Sequence, residues 1–205
     1  VKKLVLDFDG TLVDASRRDY MLYHDILNVL LRPALTFEEY WPERREARDI
    51  NELLALSGCS RSDVSDFLEM RRQLSECKRY QRFDVPLPNV KNTLSLLSCE
   101  FECCVVTARV NYKNFIDELV NTGLNTYVTR AVHTSGPKLE TIRSLSDVVA
   151  VVGDTEHDIL PAKELGIRSI GLTTGIRSER FLRGLGADVV LNDFADVPHA
   201  ISSAR

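Results

Sequence analysis

Three short apolar runs in this chain stop on a polar residue able to do chemistry: Leu4-Val5-Leu6 on Asp7, Cys104-Val105-Val106 on Thr107, and Val151-Val152-Gly153 on Asp154. Asp9 follows two residues after Asp7, and Asp158 four after Asp154. In an extended segment residues i and i+2 share a face, so Asp7 and Asp9 look into one crevice while Phe8 packs behind. Asp158, one helical turn beyond Asp154, falls on the same side as it. Two carboxylates about 4 Å apart repel by roughly 4 kcal/mol at an effective dielectric of 20, and a third compounds the cost. Such a group calls for a cation, and oxygen-only ligands favour Mg²⁺ over zinc or copper.

The elements that must position these residues are legible as strand-like runs over 3–8, 101–107, 127–133, 148–153, 168–172 and 188–191, alternating with helical patterns. That alternation predicts a parallel sheet with helices on its faces. In such a sheet the ligand crevice lies outside the carboxyl ends of the strands, which gathers residues distant in sequence. Asn111 is positioned to cap a helix carrying Phe115, Ile116, Leu119 and Val120 on one face before Gly123 stops it, and a helix over 156–165 ends at Gly166.

One interval breaks the rhythm, because more than ninety residues separate the first two strand-like runs. A crossover needs far fewer, so an inserted domain is expected. The insert reads as helical. A capping-box pattern from Ser16 to Asp19 precedes Leu22, Ile26, Val29 and Leu30, and a second start signal runs from Thr36 to Glu39. A helix over 44–56 should stop near Gly58, and Ser60 or Ser62 opens another with Val64, Phe67, Leu68 and Leu74 on one face. The charged run containing Arg44, Arg45 and Arg48 is expected to form a solvated face with i to i+4 pairs, or to lend one arginine to a substrate. The expected division is a core of 1–14 and 83–205 around a helical insert of 15–82. Pro86 and Pro88 mark the return, ahead of a helix through Val90, Leu94 and Leu97.

Asp7-Phe8-Asp9-Gly10-Thr11 resembles the first signature of the haloacid dehalogenase-like superfamily. Thr107 stands where its second belongs, Lys138 where its third does, and Gly153-Asp154-Thr155-Glu156-His157-Asp158 is similar to its fourth. The resemblance runs in order along essentially the whole chain, and points to the phosphatase branch that includes phosphoglycolate phosphatases and β-phosphoglucomutases. It implies an α/β fold, a Rossmann-like parallel-sheet core with an inserted all-helical cap, and Mg²⁺-dependent hydrolysis of a small phosphate monoester through an aspartyl-phosphate intermediate. Asp7 is then the nucleophile and Asp9 the acid and base, with its backbone carbonyl on the metal. Thr107, Ala108 and Lys138 hold the substrate phosphate, and Asp154 binds the metal. Asp158 either reaches the metal, directly or through water, or orients Lys138. Two departures stand out: Thr107-Ala108-Arg109 lacks the Asn that often follows the Thr, and no Pro follows Lys138.

Read singly, these residues have simpler roles. Asp7 could end a strand, Asp9 could make an Asx turn, Asp154 and Asp158 could cap a helix, and Lys138 could be solvated. Arg109 could meet substrate, cap or solvent. His157 is expected to be exposed, and Glu156 to be favourable charge at a helix N-terminus. A sugar phosphomutase and a non-catalytic phosphate sensor remain alternatives; a dehalogenase is disfavoured because halide displacement needs no acid where Asp9 stands.

Composition narrows the partners. A formal net charge of −4 offers no general attraction to a nucleic-acid backbone, and 44% hydrophobic with 27% charged residues suits a globular domain. No apolar run approaches the roughly 18 residues of a membrane span, so neither an anchor nor a leader is expected. The five cysteines, an odd number without C-x-x-C spacing, are expected to be core or half-buried thiols of a cytoplasmic protein. The expected partner is a small phosphorylated metabolite, and the chain a monomer or homodimer.

Overall fold

A computed structural model of the chain describes residues 1–46, 49–134 and 136–202. It divides into two compact units, one of Val1–Asp14 with Val85–Arg205 and one of Ala15–Asp84. Along the chain, β1 (Lys3–Leu6) and the short β2 (Val13–Asp14) lead into α1 (Ser16–Val29), α2 (Phe37–Arg45), α3 (Ile50–Leu56), α4 (Arg61–Leu74) and α5 (Lys78–Gln81). Then follow β3 (Val85–Pro86), α6 (Val90–Leu97), β4 (Glu102–Thr107), α7 (Tyr112–Asn121), β5 (Arg130–His133), α8 (Lys138–Arg143) and β6 (Val148–Gly153). The chain continues through α9 (Glu156–Glu164), β7 (Arg168–Leu172), α10 (Glu179–Gly184), β8 (Val189–Leu191) and α11 (Val197–Ser202).

In the first unit six parallel strands lie in the order β5-β4-β1-β6-β7-β8, the Rossmann-like arrangement. Leu6 at the end of β1 pairs with Val105 on one side and Val152 on the other, which sets three strand ends side by side. Successive strand residues face opposite layers. Leu4, Leu6, Cys103, Val105, Ala150 and Val152 pack against α6 and α7. Val5, Cys104, Val106 and Val151 pack against Ile142 and Ala162 on α8 and α9. Adjacent Cys103 and Cys104 therefore enter different cores, as the strand period requires. Each buried aliphatic side chain contributes roughly 1.5–3 kcal/mol. β2 and β3 form a separate antiparallel pair where the chain leaves and rejoins this unit.

Local outcomes depart from the sequence expectation at several points. The strand expected over 127–133 begins only at Arg130, because Asn125–Tyr127 forms a 3₁₀ turn first. Val120 is exposed, since α7 buries only the stripe through Phe115 and Leu119. Cys99 is exposed rather than core or half-buried.

The helical unit has its own core of Tyr23, Ile26, Leu27, Tyr40, Leu53, Leu54 and Phe67. Tyr23 and Tyr40 stack at 4.3 Å between ring centroids. The capping box expected at Ser16 does not form: α1 starts without a side-chain cap, and Asp19 is buried instead. Its carboxylate accepts from Tyr40 Oη at 2.6 Å, from Arg44 Nε at 3.3 Å and from Arg71. Charge-assisted bonds out-compete a local cap. Arg44 is thereby drawn away from the solvated face expected of it. The single helix expected over 44–56 is two, because Asp49 accepts from the Asn51 N–H and starts α3 afresh. Arg48 lies outside the described residues, as does Ser135. Ser60 caps α4 with Asp63 in a full capping box, but Val29 and Leu68 face out.

Candidate active site

The chain turns sharply after β1. Gly10 adopts φ +74°, a backbone that L side chains rarely take, and a Cβ there would collide with the Asp154 carboxylate. A Cβ on Gly175, in the loop after β7, would meet the same carboxylate, and one on Gly153 would strike Asp158. Three glycines thus let backbone close in on the acidic residues. The Ile176 N–H donates to Asp154 Oδ2 at 2.6 Å, and Thr174 Oγ1 donates to the Gly10 carbonyl at 2.7 Å. Asp7 is anchored through its N–H to the Val152 carbonyl, so β6 sets the position of the residue that follows β1.

Asp7, Asp154 and Asp158 are all buried, with carboxylate oxygens within 4.8 Å of one another. Lys138, the first residue of α8 and 3% exposed, reaches Asp7 Oδ1 and Asp158 Oδ1 at 2.7 Å each. Asp7 Oδ1 also accepts the Phe8 N–H at 2.7 Å, and Asp7 Oδ2 carries no hydrogen bond among the described residues. Asp158 uses its second oxygen on the Thr155 N–H and Oγ1, closing the capping box of α9. Asp154 Oδ1 is buried without a partner among the described residues. An orphaned carboxylate oxygen is costly to bury.

Three carboxylates and one ammonium leave this cluster a formal charge of −2. Burial, then Asp158, push the Asp7 carboxyl up to about 7 despite the pull of Lys138. Burial, then Asp7 and Asp158, hold the Asp154 carboxyl well above its ordinary range. Burial works against the Lys138 ammonium, but Asp158 and Asp7 outweigh it and keep it charged. A divalent cation matches the missing charge, the all-oxygen donor set and the orphaned Asp154 Oδ1.

The remaining expected residues lie at neighbouring strand ends. Thr107 closes β4, fully buried, its Oγ1 accepting the Arg109 N–H at 3.3 Å; Ala108 beside it is exposed. Asp9 is half-buried, and both of its oxygens accept from Arg109, at 2.9 Å from Nε and 2.5 Å from Nη2. Arg109 is itself buried and pairs with Glu118 of α7 as well. In the sequence the role of Arg109 stays open because its partner Asp9 lies one hundred positions away, and no local pattern marks Glu118, nine positions on. Glu156 is more than favourable charge at a helix end: it grips Arg177 through both oxygens, at 2.8 and 2.7 Å. His157 is exposed, as expected.

Residues 4–172 match the family model of haloacid dehalogenase-like hydrolases, and the chain belongs to that family. Among solved structures it is similar to a haloacid dehalogenase-like family hydrolase from Streptococcus pneumoniae, with 18% identity, TM-score 0.77 and 98% of each chain covered. It also resembles the "predicted phosphoglycolate phosphatase" of Haemophilus somnus, with 19% identity, TM-score 0.72 and 97% of each chain covered. At these identities the likeness is one of fold. The curated protein named "Probable phosphatase IndB" from Dickeya dadantii is 42% identical over 48 residues, which is 23% of this chain and 21% of that protein. The chain thus aligns with about a fifth of that relative's length.

Proposed function

We infer that this protein is a Mg²⁺-dependent phosphatase that hydrolyses a small phosphate monoester through an aspartyl-phosphate on Asp7. The observation that carries the reading is the buried cluster of formal charge −2, in which Lys138 bridges Asp7 and Asp158 while Asp154 Oδ1 has no protein partner among the described residues. Family membership and the name of the short curated match agree with it.

Asp7, Asp154 and the Asp9 carbonyl would hold the cation, with Asp158 reaching it through water because both of its oxygens are already engaged. Mg²⁺ bound there screens the charge between an anionic phosphate and a carboxylate. Asp7 Oδ2 attacks phosphorus as the bond to the leaving oxygen breaks, and Asp9 supplies that oxygen with a proton. Water then attacks the acyl phosphate, Asp9 takes its proton, and inorganic phosphate leaves with Asp7 regenerated. Thr107 Oγ1, the Ala108 N–H and Lys138 Nζ would hold the equatorial oxygens, the lysine as a point charge that stays protonated throughout.

The test is turnover of a panel of small phosphate esters with and without Mg²⁺, for the wild type and Asp7→Asn. Release of phosphate that needs Mg²⁺ and disappears in a folded Asp7→Asn protein is the expected result. Asp7→Asn activity within roughly tenfold of wild type would exclude covalent catalysis at this residue.

A further inference from the structure

The helical unit carries the electrostatic opposite of the acidic cluster. Tyr40 and Arg44 on α2 and Arg71 on α4 all donate to Asp19 on α1, so three helices converge on one carboxylate. Burial, then Asp19, hold the Tyr40 hydroxyl well above its ordinary 10, so it serves as a donor and adds no charge. One carboxylate and two guanidiniums sum to a formal charge of +1. Arg71 gives Nη2 to Asp19, whereas its Nη1 is buried with no hydrogen-bond partner among the described residues. A buried donor of a charged group is costly to leave unpaired.

The exposures show which side of this network is open. The Asp19 side chain is 8% exposed and Tyr40 fully buried, whereas the side chains of Arg44 and Arg71 are 19% and 24% exposed. The carboxylate is interior, and the guanidiniums are its outer side. Their supports are fixed: Tyr40 stacks on Tyr23, and Phe67, one turn before Arg71 on α4, is fully buried in the core of this unit. Side chains already ordered lose little freedom when they take a ligand. A planar guanidinium with a donor to spare matches the oxygens of a carboxylate or a phosphate.

We propose that Arg71, together with Arg44, forms an anion site of the helical unit that takes a carboxylate or phosphate group of a small metabolite, with Asp19 as the built-in counter-anion. The site needs neither Mg²⁺ nor Asp7, so it stands apart from the phosphatase reading and does not fall with it.

The experiment measures anion binding to the full chain in chelator, where the cluster of Asp7, Asp154 and Asp158 keeps its formal negative charge and repels anions. Calorimetry and thermal melts are run with inorganic phosphate and with malonate, at an ionic strength held constant with chloride. At least one of the two should bind the wild type and raise its melting temperature by mass action. Binding of phosphate alone assigns a phosphoryl ligand, and binding of malonate alone a carboxylate one. Arg71→Met should weaken the binding about tenfold or more, and Arg71→Lys by less, because an ammonium keeps the charge but not the planar fork. Asp19→Asn should tighten it about tenfold, because the internal carboxylate no longer competes for the guanidiniums. The anion should also raise the melting temperature of Asp19→Asn by more than it raises that of wild type, a rescue that a purely structural network would not give. If Arg71→Met does not fold, Arg71→Lys and Asp19→Asn decide by the same criteria. Binding of neither anion to the wild type, or an affinity left unchanged by the Arg71 variants and by Asp19→Asn, would overturn the proposal.

Discussion

Asp7 and Asp154 divide the work of one acidic cluster by what each oxygen already holds. Asp7 commits Oδ1 to Lys138 and the Phe8 N–H and keeps Oδ2 without a hydrogen bond among the described residues, the oxygen proposed to attack phosphorus. Asp154 commits Oδ2 to the Ile176 N–H and keeps Oδ1 without a partner among the described residues, the oxygen proposed to meet the cation. Asp154→Asn should therefore keep the hydrogen bond and the volume while removing one negative charge from the site. We expect it to weaken Mg²⁺ binding by about tenfold or more while the metal-free protein melts no lower than wild type. Titration calorimetry with Mg²⁺ reads the first and a thermal melt in chelator the second. Mg²⁺ affinity equal to wild type would remove Asp154 from the ligand set.

At the scale of elements, the loop between β7 and α10 supplies half of the Asp154 cradle. Gly175 gives the carboxylate room and Ile176 donates to it. The loop is tied down by Arg177, which pairs with Glu156 in the first turn of α9 and lies over the Phe181 ring at 5.0 Å. Glu156 follows Asp154 by two residues, so one ion pair fastens both sides of the cradle. Arg177→Ala should lower Mg²⁺ affinity about tenfold while leaving turnover at saturating Mg²⁺ near wild type, because no group assigned to the chemistry is touched. Calorimetry and a Mg²⁺ titration of activity separate the two. A drop in turnover that excess Mg²⁺ does not restore would assign Arg177 a different role.

Across the whole molecule the two units carry different electrostatic designs. In the first unit the cluster of Asp7, Asp154 and Asp158 shares the one ammonium of Lys138, whereas in the helical unit Asp19 is surrounded by Arg71, Arg44 and Tyr40. Burial opposes ionisation of Asp19, but Arg71 and then Arg44 overcome it and hold the carboxyl below its ordinary 3.8. A depressed carboxyl contributes stability that is fully present above the unfolded value and lost as pH falls through the folded one. The helical unit should thus keep its Asp19 contribution down to about pH 4 and lose it progressively below. Replacing Asp19 by Asn should lower the melting temperature at pH 7 and flatten the acid limb of the curve. An Asp19→Asn protein whose melting temperature tracks wild type from pH 7 to pH 3 would show that the buried network contributes no net stability.

Several features were decided by the sequence alone. Apolar runs that end on Asp7, Thr107 and Asp154 already define strands and the edge where their side chains meet, because strand period and parallel topology are local consequences of residue type. The order of the family signatures adds the fold and the identity of Lys138. Tertiary structure decided what each polar group pairs with. Asp19 reads as a helix cap and becomes the anion of a buried arginine network, since Tyr40 and Arg71 arrive from other helices. Val120 and Leu68 continue apolar stripes in sequence and point outward, because burial depends on where the neighbouring element ends. Arg109 is the plainest case: its partner Asp9 is one hundred residues away, and only the pairing of β1 with β4 brings the two together. Pattern reveals periodicity within an element, whereas charge pairing is settled between elements by packing.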